Sequence, residues 1–393
     1  MSVKKLFVFT ENYEQGGGNR YLVDLVNSVS FKFEEILVFS NKKGIFHTDL
    51  SRFNREVNLA TLFFITSSLI LNKFKHLNSR LLNFYKILFN FLDPILLALN
   101  VIFFLLPLIR SKPNKVLVCN GGYPASRACL AMVISSKILC IPVVMSIVSA
   151  PLQRRAFAFY YEKIIDLLIW NCVSKVIVNA NFIADQLVKL RGLAEVKISV
   201  VYNGLENIKP PIFLKKNQKK LVIGCIARVD KEKGVFYLLH AFNVLVSRNP
   251  FLKLVIIGSG SAFNQLSTKV DSLGLTDKVS LPGHYSGDIT LPLSNFDIYV
   301  FPSLWEGFPY SILEAMRSGC AIVSTNVGGI PEAITNGVDG ILIEPASSAD
   351  LVLGLTRLIE DCELRYKLSS NARKKFQENF TLNQMASAVR KIL

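Results

Sequence analysis

Four charged side chains carry the chemistry that this sequence can perform. Glu306 and Glu314 lie in P-S-L-W-E-G-F-P-Y-S-I-L-E, and Arg228 and Lys233 lie in A-R-V-D-K-E-K-G. A guanidinium grips a diphosphate as a planar fork, and an ammonium adds a point charge. Carboxylates accept hydrogen bonds from hydroxyl groups, the commonest polar groups of a sugar. Cations for phosphate and carboxylates for hydroxyls together suit a phosphorylated, hydroxyl-rich ligand.

The surrounding pattern predicts how these groups are positioned. Asp297 to Ser303 reads as a buried parallel strand. Trp305 to Pro309 is a turn, with Pro309 placed to enter a helix over roughly 310–318 that Gly319 ends. A second strand follows at 321–325. Glu306 therefore sits beyond a strand's carboxyl end, where open α/β sheets bind ligands, and Glu314 sits inside the next helix. The helix N-terminus adds N–H groups and a positive dipole end that suit phosphate. Arg228 ends another strand, 221–227, and Lys233 opens a helix near Gly234. Further strand–turn–helix units follow at 254–258 and 279–283. Beyond Pro345 the chain is helical.

Residues 300–332 closely resemble the Glu-x7-Glu signature of family 4 glycosyltransferases, retaining enzymes of GT-B architecture. The likeness includes P-S before Glu306, G-F-P after it, E-A-M-x-S-G at Glu314 and G-G-I-P-E downstream. It implies an α/β fold of two Rossmann-like, doubly wound parallel-sheet domains with an interdomain cleft. The implied reaction moves a sugar from a UDP- or GDP-linked donor to an acceptor hydroxyl with retention. Glu306, Arg228 and Lys233 are then the expected catalytic residues. Glu314 would hold the ribose hydroxyls, Glu306 the donor sugar, and Arg228 with Lys233 the diphosphate. Gly307, Phe308, Pro309 and Ser311 of the turn, and His284 near the base, complete the expected donor site. The family also carries a glycine loop like Gly16-Gly17-Gly18, so Gly17 and Gly18 are expected to border the donor diphosphate, with Arg20 adding charge. There is one departure: where the family ends the strand after P-V-V with a His, this chain has Val148. No D-x-D sequence occurs, so neither a metal nor any other cofactor is expected.

With 393 residues, half of them hydrophobic, the chain can bury two cores. Its net charge of +16 is uneven: residues 1–205 hold 24 Lys+Arg against 12 Asp+Glu. A basic half points to anionic partners. No nucleic-acid motif is present, and the 28 Phe favour a membrane surface over nucleic acid. Seven scattered Cys argue against a disulfide framework or zinc site and for a reducing cytosol. The apolar run at the N-terminus is too short for a signal peptide and reads as a strand.

Strands and helices alternate through residues 1–206, the expected acceptor-binding domain. Residues 58–110 interrupt the pattern. They read as one or two interfacial helices, with Phe74, Leu77, Leu81, Phe84 and Leu88 on one face and Asp93, Pro94, Asn100 and Pro107 breaking the last apolar piece. The competing reading has these helices simply covering the sheet. Residues 207–220 read as a linker, 221–380 as the nucleotide-sugar domain, and 381–393 as a helix crossing back to the first domain. The expectation is a peripheral enzyme on the cytoplasmic face of the membrane. It would use a lipid-linked or oligosaccharide acceptor in O-antigen, capsule or exopolysaccharide synthesis. The alternatives are a soluble GT-B enzyme acting on a small acceptor, and a non-catalytic sugar-nucleotide-binding or scaffold protein, for which Val148 is the one support.

Overall fold

The structure, a computed structural model, describes residues 4–11, 17–41, 53, 57–67, 79–124, 126–208 and 220–393, and of 79–91 the backbone alone. The chain divides into two units, Met1–Tyr202 with Met385–Leu393, and Asn203–Gln384.

The first unit is built on seven parallel strands: β1 Lys5–Thr10, β2 Glu35–Ser40, β3 Asn58–Thr61, β4 Lys115–Asn120, β5 Val143–Ile147, β6 Lys175–Val178 and β7 Ile198–Val200. Their order is β3-β2-β1-β4-β5-β6-β7, so β1 pairs with both β2 and β4. Central strands such as Leu6–Phe9 and Val116–Val118 are apolar without alternation because helices cover both faces. The helices are α1 Gly17–Val29, α2 Ser79–Ser111, α3 Arg127–Ile138, α4 Phe159–Cys172 and α5 Asn181–Arg191. Ser126 caps α3, its hydroxyl accepting from the Cys129 N–H at 3.0 Å.

The second unit has six parallel strands, β8 Val222–Ile226, β9 Lys253–Ile257, β10 Val279–Gly283, β11 Ile298–Phe301, β12 Ala321–Thr325 and β13 Ile341–Ile343, in the order β10-β9-β8-β11-β12-β13. Its helices are α6 Val235–Arg248, α7 Phe263–Ser272, α8 Thr290–Leu293, α9 Tyr310–Ser318, α10 Ile330–Ala333, α11 Ser348–Glu360 and α12 Cys362–Asn379, and α13 Leu382–Arg390 follows them in the chain. Leu238, Leu239 and Phe242 of α6 and Leu355 and Leu358 of α11 fill the core around Ile256, Val300 and Val323. Residues 385–393, from α13 onward, group with the first unit, where the Lys115 ammonium donates to the Leu393 carbonyl at 2.9 Å.

The described residues of the segment 58–110 differ from their expected form. Residues 58–61 form edge strand β3, pairing with β2 from Leu37↔Asn58 to Ser40↔Thr61. The four expected breaks in the last apolar piece fall inside one helix of 33 residues, which runs through Pro94 and Pro107. Proline deletes one backbone hydrogen bond, and here packing outweighs that loss. Asp93 and Asn100 do not interrupt the helix but face inward. Asp93 pairs with Arg127 at 2.8 Å, and the Asn100 amide exchanges two hydrogen bonds with the Ile65 backbone. Phe104 packs against Phe9 and Phe64, so one face of α2 does cover the sheet. Phe74 and Leu77, Gly16, and linker residues 209–219 lie outside the described residues. Helix α1 starts at Gly17, so Gly17 and Gly18 form its first turn instead of a free loop.

Candidate functional site

In the second unit the strand order reverses between β8 and β11, and ligands of such sheets bind in the crevice beyond the strand ends at that point. Arg228 and Lys233 follow β8, and Glu306 and Glu314 follow β11. The topology thus brings to one crevice two sequence segments some seventy residues apart. Lys233 and Glu306 are in direct contact, Nζ to Oε1 2.5 Å, with side chains 19% and 12% exposed. The ammonium also lies 5.9 Å above the Phe301 ring. Arg228 is far more exposed and leans on Asp230 at 3.3 Å. Asp230 is held in turn by the Ser261 hydroxyl and N–H at 2.7 and 2.9 Å. Those two bonds, and the charges of Arg228 and Lys233 after them, keep its carboxyl below the usual range.

Backbone contacts lock the two loops together. The Leu304 N–H donates to the Glu232 carbonyl at 2.8 Å, and the Gly329 N–H to that of Gly307 at 2.7 Å. Two glycines make these approaches possible. Gly234 has φ +67°, and a Cβ there would lie 1.9 Å from the Pro302 carbonyl oxygen. Gly328 has φ +58°, and its Cβ would lie 2.0 Å from the Glu306 carbonyl oxygen. Any side chain at either position would clash with the backbone that carries Glu306, besides straining a left-handed conformation.

Helix α9 enters through Pro309 in extended conformation and ends at Gly319 with φ 72°. Glu314 is buried on it. Beside it Tyr299 is fully buried, donating to the Ile226 carbonyl at 3.2 Å and meeting the Ser311 hydroxyl. Burial, with the nearby Cys225 and Glu314, pushes the Tyr299 hydroxyl well above its ordinary pKa, so it stays a neutral donor. Phe308 turns its ring inward onto Phe380, and its carbonyl accepts from the Asn203 amide at 2.7 Å. The turn around Gly307 and Pro309 is therefore anchored from below and presents backbone, not the Phe308 ring, to the crevice. His284 is exposed just after β10, beside Gly283 with φ 79°. Gly17, Gly18 and Val148 belong to the first unit, where the Val148 N–H donates to the Gly121 carbonyl at 3.0 Å. Among the described residues no group of three or more His, Cys, Asp or Glu is placed to hold a metal ion.

The sequence reading passed over Asp230, and it took Gly234 and Gly328 only as a helix start and as part of the G-G-I-P-E run. The first stands two residues from Arg228, a spacing that a charge-pair search would have found. The glycine contacts are tertiary and leave no local signal.

Comparison with known proteins bears on the family and the fold. Residues 210–375 match the family model described as glycosyl transferases group 1. An uncharacterized glycosyltransferase of Methanocaldococcus jannaschii is 28% identical over 54% of this chain and 57% of its own length, so the chain spans little more than half of that relative. The N-acetylgalactosamine-N,N'-diacetylbacillosaminyl-diphospho-undecaprenol 4-alpha-N-acetylgalactosaminyltransferase of Campylobacter jejuni is 24% identical over 95% of both chains. Among solved structures, Anabaena Alr3699/HepE in complex with UDP superposes with a TM-score of 0.74 at 20% identity, covering 99% of each chain. Residues 210–375 therefore carry the glycosyl transferases group 1 signature, within a chain of GT-B fold.

Proposed function

We propose that this protein is a retaining, hexosyl-type glycosyltransferase that moves a sugar from a UDP- or GDP-linked donor to a saccharide carried on a lipid. The product would enter O-antigen, capsule or exopolysaccharide synthesis. The observation that carries the reading is the gathering of Arg228, Lys233, Glu306 and Glu314 at one switch point. In this reaction the bond from the anomeric carbon to the diphosphate breaks, and negative charge collects on the leaving group. Preorganised cations and helix N–H groups stabilise that charge at little reorganisation cost. Arg228 and Lys233 supply the cations, and the N-terminus of α9 supplies the N–H groups. Glu306 accepts from the donor sugar and Glu314 from the ribose.

Two features support the lipid-linked acceptor. The Campylobacter relative is named for a diphospho-undecaprenol acceptor. The first unit carries a helix, Leu92–Ser111, long and apolar enough for a bilayer yet mostly unburied. We place the enzyme at the inner face of the cytoplasmic membrane, attached through the segment 58–110.

The test is donor binding. A panel of nucleotide sugars, followed by saturation-transfer NMR or thermal shift, should reveal one that stabilises the protein. Glu314→Ala should weaken that donor by about 2–3 kcal/mol, the value of a buried hydrogen bond to a charged group. Unchanged affinity in the variant would refute the ribose role. Activity should also persist in EDTA, because side-chain cations take the place of a metal. A strict requirement for added magnesium or manganese would contradict the charge clamp.

A further inference from the structure

The connections β3→β4, β4→β5, β5→β6 and β6→β7 all step the same way along the first sheet. Right-handed crossovers therefore set α2, α3, α4 and α5 on one face. Helix α3 packs against both α2 and α4. A polar bridge pins the three together: Asp93 on α2 takes the Arg127 guanidinium at 2.8 Å and the Tyr161 hydroxyl at 3.2 Å. Arg127 also lies 5.9 Å over the Tyr161 ring.

Both outer helices leave an apolar stripe uncovered. On α2 it is Ile95, Leu99, Ile102, Leu106 and Ile109, spaced in steps of four and three. On α4 it is Tyr160, Ile164 and Leu167, with exposures of 80%, 65% and 65%, continued by Phe157 before the helix. Such large apolar faces mark an interaction surface. The charges say what kind. Between residues 92 and 172 the acidic side chains are Asp93, Glu162 and Asp166. All three are buried, and each is paired with an arginine. The exposed charges there, Arg110, Lys112, Lys137 and Lys163, are all cationic. An open groove of about 610 Å³ beside α2, lined by Phe63, Phe103, Leu106 and Arg110 and by the ion pair of Lys5 with Glu35, adjoins the same face.

We propose that α4 and α2 together form one docking face that seats the first unit on an anionic lipid leaflet. Helix α4, an ordinary sheet-covering helix by its sequence, is the second half of the anchor. The inference rests on the lipid-linked acceptor reading only for its purpose; the surface itself is tested separately. Helix α2 lies on the leaflet instead of crossing it, because Asp93, Asn100 and the Val101 carbonyl are committed to partners within the unit. Apolar side chains enter the acyl boundary while the cations meet lipid phosphates.

The experiment is flotation of the full chain with vesicles of phosphatidylcholine and phosphatidylglycerol in a roughly 7:3 mixture, against phosphatidylcholine alone, at low and high salt. Wild type should float with the anionic vesicles and less with the neutral ones. The triple variant Tyr160→Ser, Ile164→Ser, Leu167→Ser should float at least about tenfold less, as expected when several apolar side chains leave lipid. Its circular dichroism and melting should match wild type, because these side chains are exposed. Lys163→Glu should lower attachment to the anionic vesicles alone. A folded triple variant that floats as well as wild type would overturn the proposal. So would a wild-type dimer that the triple variant renders monomeric, since a second copy would then cover the face. Donor binding measured in detergent separates the two readings. If no nucleotide sugar binds but flotation still depends on α4, the functional reading fails and the docking face stands.

Discussion

Lys233→Ala is expected to cut turnover about a hundredfold or more, the scale seen when a preorganised charge is removed from a developing anion. The structure shows why the loss should be large. The ammonium stands 2.5 Å from Glu306 in a half-closed site, where charges are screened less than at the surface. Without it, Glu306 becomes an uncompensated carboxylate beside the place proposed for a diphosphate. Two effects then add, the lost attraction and a new repulsion. They can be separated by adding Glu306→Gln to the variant. The double variant should recover nucleotide affinity relative to Lys233→Ala and should not recover turnover. Arg228→Ala should cost less, about tenfold, because a side chain 61% exposed acts through solvent-screened contacts. Nucleoside diphosphate release gives turnover, and calorimetry gives affinity. A folded Lys233→Ala protein with wild-type turnover would remove the cation clamp from the mechanism.

What could be read ahead of the structure was local. Pro309 and Gly319 bracket α9, and its bounds, Tyr310–Ser318, are those the two residues predict. Both act within their own turn, one by fixing φ and the other by accepting a left-handed conformation. The parallel sheets were equally legible, because strands buried on both faces read as unbroken apolar runs. The long helix α2 was not. Its two prolines and two buried polar residues read as breaks. Their partners lie far along the chain, Arg127 for Asp93 and Ile65 for Asn100. The exposed stripe on α4 was missed for a related reason. Its apolar residues occur on both sides of the helix, and only the charges buried beneath show which side faces the core. At the site, the segments that hold Lys233 and Glu306 were each visible. Their contact, 73 residues apart in sequence, and the close approach of Gly328 to Glu306 belong to the fold.

Arg191→Met should destabilise the first unit more than any exposed substitution on it. The guanidinium is 1% exposed and sits at the centre of a buried charge cluster. Its Nη1 meets Glu162 at 2.9 Å and Asp166 at 3.4 Å, its Nε donates to the Leu152 carbonyl at 2.8 Å, and it covers the Tyr123 ring. Arg155 and Arg154 complete the cluster at 2.6 and 2.8 Å from the same two carboxylates. Removing one partner of a buried ion pair costs about 3–5 kcal/mol, and the low end applies here because two arginines remain. For a unit of this size a loss of that order lowers the melting temperature by roughly 10 °C. The pH dependence identifies the cause. Burial raises Glu162, but the bonds from Arg155 and Arg191 outweigh it and hold the carboxyl below its usual range. Burial raises Asp166 and prevails over Arg191, Tyr123 and Arg154. In wild type the two shifts oppose each other. In the variant both carboxyls lose Arg191, so both folded-state pKa values rise above the unfolded ones. A raised carboxyl pKa penalises the fold fully above the folded value and ceases to do so below the unfolded value. The deficit against wild type should therefore be largest near neutral pH and shrink as the pH falls toward the carboxylate range. Melting curves for both proteins across that range test this. A deficit that does not change with pH would assign the loss to packing against Tyr123, and not to stranded charge beneath α4.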